Sequence, residues 1–121
     1  MKFEETTRAV IGCFYEVHNE MGFGFVEQVY QNALEIALSE AGISFQREYP
    51  LAATFRGRTV GDFKADFLVE KQVIVELKAV TGILKVHEVQ VVNYLRASGM
   101  TVGLLLNFRA KPEFKRKVLG F

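Results

Sequence analysis

Glu76 and Lys78 stand two residues apart in Val73-Ile-Val-Glu-Leu-Lys-Ala-Val80, a segment otherwise built of apolar, largely β-branched residues. That composition reads as a strand covered on both faces, and period-two alternation puts the two charges on one of them. Isolated charges in low dielectric cost several kcal/mol each, so these two need partners or a cation. Asp66, in Lys64-Ala-Asp-Phe-Leu-Val-Glu70, is the upstream candidate. Residues directly opposite in an antiparallel hairpin share a face. A three-residue turn, Glu70-Lys71-Gln72, pairs Val69 with Val73 and sets Asp66 opposite Glu76. A two-residue turn at Lys71-Gln72 pairs Asp66 with Leu77 and points it away. In the first register two carboxylates meet with an ammonium two residues along. Such carboxylates repel unless one is protonated or a cation lies between them. With a carbonyl and water they are the ligand set of Mg²⁺ or Mn²⁺. Lys78 suits holding an attacking water or offsetting charge on a phosphoryl oxygen. The chemistry implied is metal-assisted hydrolysis of a phosphodiester, and the bland alternative is a salt-bridged network of Glu76 and Lys78 at a sheet edge.

These residues need a scaffold, and the hydrophobic periodicity supplies one. Val10, Ile11, Phe14 and Val17 recur at helical spacing over Phe3 to Asn19, and the glycines of Met21-Gly-Phe-Gly-Phe25 end that helix. A second helix spans Phe25 to Glu40 and closes at Gly42. Ile43 to Phe55 is extended, Arg56-Gly57 reads as a tight hairpin turn, and Arg58 to Glu70 runs back. After the Val73 strand a third helix covers about Leu84 to Ser98 and stops at Gly99. Thr101 to Phe108 is another buried strand, and the tail has no assigned structure. The order ααβββαβ predicts an α/β or α+β domain, with a mixed central sheet of at least four strands flanked by helices. Phe63, Phe67, Val73, Val75, Leu104 and Leu106 are assigned to the core.

The 121 residues, half of them apolar, fit a single domain over 1–121 with a real core. No apolar run approaches a membrane span, and the N-terminus lacks a signal-peptide h-region, so no membrane association is expected. The single Cys13 cannot form an internal disulfide, which points to a cytoplasmic location. With only His18 and His87 beside it, no structural zinc site is expected and any metal would have to be bound through oxygen. The net charge of +1 lacks the basic excess of a dedicated duplex-binding domain. The tail is locally basic through Lys111, Lys115, Arg116 and Lys117, read as a solvated end.

Asp66, nine residues, then Glu76-Leu77-Lys78 resembles the D…ExK signature of the PD-(D/E)XK nuclease superfamily. Gly24-Phe-Val-Glu27-Gln-Val-Tyr30 matches the motif of its small GxxExxY family. Further marks of the resemblance are Val17-His18, His87-Glu-Val-Gln90 with Asn93-Tyr94-Leu95, and Gly103-Leu-Leu-Leu-Asn107-Phe108. Ala65 stands where the superfamily's name has proline, a position that varies. The resemblance implies an αβββαβ core with the site on the central hairpin. Asp66 and Glu76 would bind Mg²⁺ or Mn²⁺, Lys78 would assist the nucleophilic water, Glu27 would be a further carboxylate supplied by the helix before the sheet, and Gln90 the helical glutamine beside the site.

Read from the residues alone, these extra positions have plainer roles. Glu27 in a first helical turn favourably faces the helix dipole, and Tyr30 on its face either orients it or packs. Gly22 and Gly24 let the chain turn or bring backbone close to a substrate. His87, on a helix face with Gln90 and Tyr94, is more often a hydrogen-bonded structural residue than a ligand. The function expected is a metal-dependent nuclease acting on DNA. A domain this small has little surface to grip a duplex, so a homodimer, a partner protein, or preference for ends or single strands is expected. The rival readings are a catalytically weak nucleic-acid-binding or interaction module on the same fold, and a structural protein whose charges form an internal network.

Overall fold

In the computed structural model, which describes residues 3–120, helix α1 spans Glu4–Met21 and helix α2 spans Glu27–Glu40. Glu4 and Glu5 occupy the first turn of α1 and His18 its last, each on the favourable end of the helix dipole. Gly22, at φ 71°, ends α1 in a conformation that other residues adopt only with strain. Three strands follow: β1 Phe45–Phe55, β2 Arg58–Val69 and β3 Val73–Lys78. Arg56 and Gly57 both have positive φ, 51° and 76°, the geometry of a two-residue hairpin turn whose twist matches its strands. Helix α3, Lys85–Ser98, then crosses the sheet and leads to β4 Val102–Asn107 and β5 Glu113–Val118.

The strands form one sheet in the order β1-β2-β3-β4-β5. β3 and β4 are parallel, joined by the α3 crossover, and every other neighbouring pair is antiparallel. The α+β class and mixed sheet follow the expectation. The tail, left without structure above, adds β5 as a fifth strand. Its basic residues Lys115, Arg116 and Lys117 are consecutive on this edge strand, and Lys117 Nζ donates to Glu88 Oε1 of α3 at 2.9 Å.

Helices α1 and α2 cover one face, where Val10, Phe14, Tyr30 and Leu34 pack against Phe67, Val75, Leu77, Leu104 and Leu106. Tyr30 stacks flat on Phe108 at 4.2 Å between centroids. Helix α3 covers the other face through Tyr94 and Leu95 against Leu51, Leu68 and Ile74. The apolar covering of both faces of β3 is what forces any charge on that strand into a confined place.

Phe63 departs from its core assignment and is 46% exposed. β2 pairs with β3 only over Phe67–Val69, while it pairs with β1 along its whole length. The half of β2 that holds Phe63 therefore belongs to a two-stranded arm reaching beyond the central sheet. Among the described residues no helix is long and apolar enough to cross a membrane.

Candidate active site

The connection between β2 and β3 uses the longer of the two turns considered above. Glu70 and Lys71 adopt positive φ, 54° and 56°, and Val69 pairs with Val73. This register puts Asp66 opposite Glu76, where the backbone ladder ends at Phe67 and Val75. The carboxylates take over the backbone donors that the ladder leaves free. Asp66 N–H donates to Glu76 Oε1 at 2.7 Å, and Leu77 N–H donates to Asp66 Oδ2 at 2.8 Å. Each side chain is thus held by the opposite strand through one oxygen. The second oxygen of each enters no hydrogen bond among the described residues.

Glu76 is 4% exposed. Burial, together with the Asp66 charge, pushes its carboxyl up to about 8, against the pull of the Asp66 N–H and Lys78. Burial likewise raises Asp66 to about 6, with Glu27 and Glu48 adding repulsion and the Leu77 N–H and Lys78 opposing it. The two titrate as a pair. Lys78, half-buried on the same face, attracts all three carboxylates through space. It forms no ion pair among the described residues. The salt-bridged network of the bland reading is therefore not what holds Glu76 and Lys78.

Glu27 is the first residue of α2 and is exposed. Partial desolvation raises its carboxyl and the Lys78 charge lowers it. It acts on the Asp66–Glu76 pair through space without joining it: among the described residues no three His, Cys, Asp or Glu side chains are gathered as a ready cage for an ion. The pair still fits a hard divalent cation that keeps several waters, because it offers two unbonded carboxylate oxygens in a site with surplus negative charge. Gln90, on α3, donates through Nε2 to the Tyr94 hydroxyl at 3.2 Å. Burial and the Glu76 charge raise the Tyr94 hydroxyl, so this helix face looks onto the pair.

Tyr30 packs and does not orient Glu27; its hydroxyl donates to Gly22 O at 2.7 Å and pins the glycine loop before α2. His87 Nδ1 accepts the Leu84 N–H at 2.9 Å, capping α3. His18 Nε2 lies 2.8 Å from Arg109 O, tying α1 to the end of β4.

Three supporting residues had no role in the sequence reading. Gln31 is buried one turn after Glu27, with Nε2 3.5 Å from Asp66 O and Oε1 accepting from Arg47 Nη2 at 3.3 Å. The spacing from Glu27 is a signal that was present in the sequence. Glu48, opposite Asp66 on β1, has φ 55° and is omitted from the strand pairing on both sides. Asn107 is fully buried at the end of β4: its Oδ1 accepts the Val80 N–H, and its Nδ2 donates to Val80 O and Glu113 Oε1, each at 3.0 Å. This amide fixes the loop that follows Lys78. Asn107→Ala is expected to lower stability by about 2 kcal/mol, because it removes three hydrogen bonds and strands the N–H and C=O of Val80. Urea denaturation of the variant beside the wild type checks that value.

The fold is similar to that of two crystal structures. One, of SSO0001, superposes with a TM-score of 0.60 at 16% identity, over 97% of this chain and 60% of that one. The other, an alkaline exonuclease (LHK-Exo) from Laribacter hongkongensis, superposes with a TM-score of 0.56 at 11% identity, over 99% of this chain and 72% of that one. This chain thus spans about 60% of the length of SSO0001, and at such identities the likeness is one of fold. No curated protein matches the sequence. The sequence profile of the PD-(D/E)XK nuclease superfamily, by contrast, matches residues 4–117, from the start of α1 into β5 and across the whole hairpin that carries the carboxylates, so the protein belongs to that superfamily.

Proposed function

We propose that this protein is a metal-dependent nuclease of the GxxExxY type that hydrolyses phosphodiester bonds of DNA. The observation that carries the reading is the opposed pair Asp66 and Glu76, each anchored by one oxygen to the other strand, beside Lys78, which forms no ion pair among the described residues. A purely structural pair of carboxylates in this position would escape repulsion only by retaining a proton, at a cost that a bound cation removes.

Asp66 and Glu76 would hold Mg²⁺ or Mn²⁺, with Glu27 completing the shell directly or through water. Such an ion, when bound, polarises a phosphoryl oxygen and lowers the pKa of water. The chain's own residues do the rest. The anchoring N–H groups keep both carboxylates aimed, so little reorganisation is needed on binding substrate. Lys78 presents its ammonium to the attacking water and to the charge that grows on the non-bridging oxygens. Gln90, steadied by Tyr94, supplies an amide to a phosphate oxygen from the α3 side. Membership of the superfamily and the likeness in fold to an exonuclease support this reading.

The test is cleavage of end-labelled single-stranded and duplex DNA in Mn²⁺, in Mg²⁺ and in EDTA. Fragments that form with either metal and disappear in EDTA are expected. A folded protein that cuts neither substrate with either ion would overturn the reading in favour of a binding module.

A further inference from the structure

A groove of about 570 Å³ runs between α3 and the arm formed by β1 and β2, and its lining includes Tyr94, whose hydroxyl feels the charges of Glu76 and Asp66. Gln90 and Tyr94 belong to both. Phe63, the residue that left the core, lines it from the arm; its ring packs against that of Tyr94 at 5.9 Å between centroids, tilted by 43°. Val89 and the small Ala52 and Ala53 add an apolar lining beside this ring pair. Among the described residues of the lining Arg96 is the one that carries a charge, and it stands beside the amide of Asn93, with no carboxylate among them.

We propose that this groove is a subsite for an unpaired nucleobase of the strand whose phosphate lies at Asp66, Glu76 and Lys78, and so selects single-stranded DNA or frayed ends. The inference rests on the nuclease reading for the position of that phosphate. A nucleobase has two apolar faces and a polar edge, which matches an aromatic wall facing an amide and a guanidinium. One cation without an anion complements the neighbouring phosphates. In a duplex both base faces are stacked and the edges are paired, so duplex DNA cannot fill the groove without opening. The volume falls within the range of small-ligand sites. A peptide or second copy of the chain would gain nothing from the continuity between groove and carboxylates; a strand that crosses both does.

The experiment measures fluorescence anisotropy of a labelled oligothymidine and of a labelled hairpin duplex, both in EDTA so that hydrolysis cannot intervene. The wild-type chain is compared with Phe63→Ala, Phe63→Tyr and Val89→Glu. Phe63 and Val89 are exposed enough that folding should survive, which circular dichroism checks. Phe63→Ala should weaken single-strand binding by about 5- to 100-fold, the span carried by one base–aromatic stack, and change duplex binding less than about 2-fold. Phe63→Tyr should restore the affinity, and Val89→Glu, which puts an anion in the groove, should reduce it. Unchanged single-strand binding in both loss variants, equal losses for single strand and duplex, or no single-strand binding by the wild type would each overturn the proposal. Selective loss in a protein that shows no metal-dependent cleavage would sink the nuclease reading and leave the subsite standing.

Discussion

Lys78→Ala should reduce metal-dependent cleavage by about 10²- to 10³-fold, the usual cost of losing one well-placed donor to transition-state charge. The affinity for Mn²⁺ should not fall. Lys78 forms no ion pair with the carboxylates, so its removal strands no partner among the described residues. Its positive charge lowers the carboxyls of Glu27, Asp66 and Glu76 and repels a cation, so removing it leaves cation binding equal or slightly tighter. Single-turnover rates and Mn²⁺ calorimetry on the same preparation separate the two effects. A variant that loses cleavage and metal binding together would assign Lys78 to building the site rather than to the reaction.

Glu76→Gln should make the metal-free protein more stable, and the gain should grow with pH. The carboxyl of Glu76 lies at about 8 in the fold, raised by burial and by Asp66 from an ordinary value of 4.5. Between those two values the folded state keeps a proton that the unfolded chain has lost, so the unfolded state binds fewer protons and stability falls as pH rises. The penalty is absent below about pH 4 and complete above about pH 8. Glutamine keeps an oxygen for the Asp66 N–H and carries no charge, so it removes the penalty without stranding the donor. The expected gain at pH 8.5 is on the order of 2 kcal/mol, roughly 5–10 °C in Tm, shrinking to almost nothing at pH 4. Added Mn²⁺ should raise the Tm of the wild type, by ligand linkage, and leave the variant nearly unmoved. Glu76→Ala is a poorer probe, because it leaves the Asp66 N–H without its acceptor.

The pattern of residues carried the frame and the identity of the site further than its geometry. Helical spacing and terminal glycines located α1, α2 and α3 to within about two residues, since apolar periodicity and the positive φ of Gly22 and Gly99 are local properties. The hairpin register was legible only as two alternatives. It depends on whether Glu70 and Lys71, neither of them glycine, accept positive φ, and that is settled by how β2 packs over the core. Phe63 was misassigned because alternation says which residues share a face and not how far a neighbouring strand extends. Glu48 was hidden for a related reason. A bulge at Ala53 and Thr54 shifts the β1–β2 register by one residue, so counting back from the Arg56–Gly57 turn aligns the wrong residue with Asp66. The β5 strand pairs along its whole length with β4, and such non-local pairing overrides the polar composition of the tail. Gln31 carries a signal in its spacing from Glu27, whereas Asn107 looks like an ordinary polar residue in the sequence; burial against Asp66 O and Val80 shows what each holds.

The most direct measurement is cleavage of end-labelled single-stranded DNA by the wild type and Glu76→Gln side by side, in Mn²⁺ and in EDTA, with the Tm of each recorded under the same conditions. The arrangement of Asp66, Glu76 and Lys78 predicts that the wild type cuts in Mn²⁺ alone, while the more stable variant cuts in neither. A folded Glu76→Gln protein that cleaves as fast as the wild type would contradict the assignment of this pair as the catalytic centre.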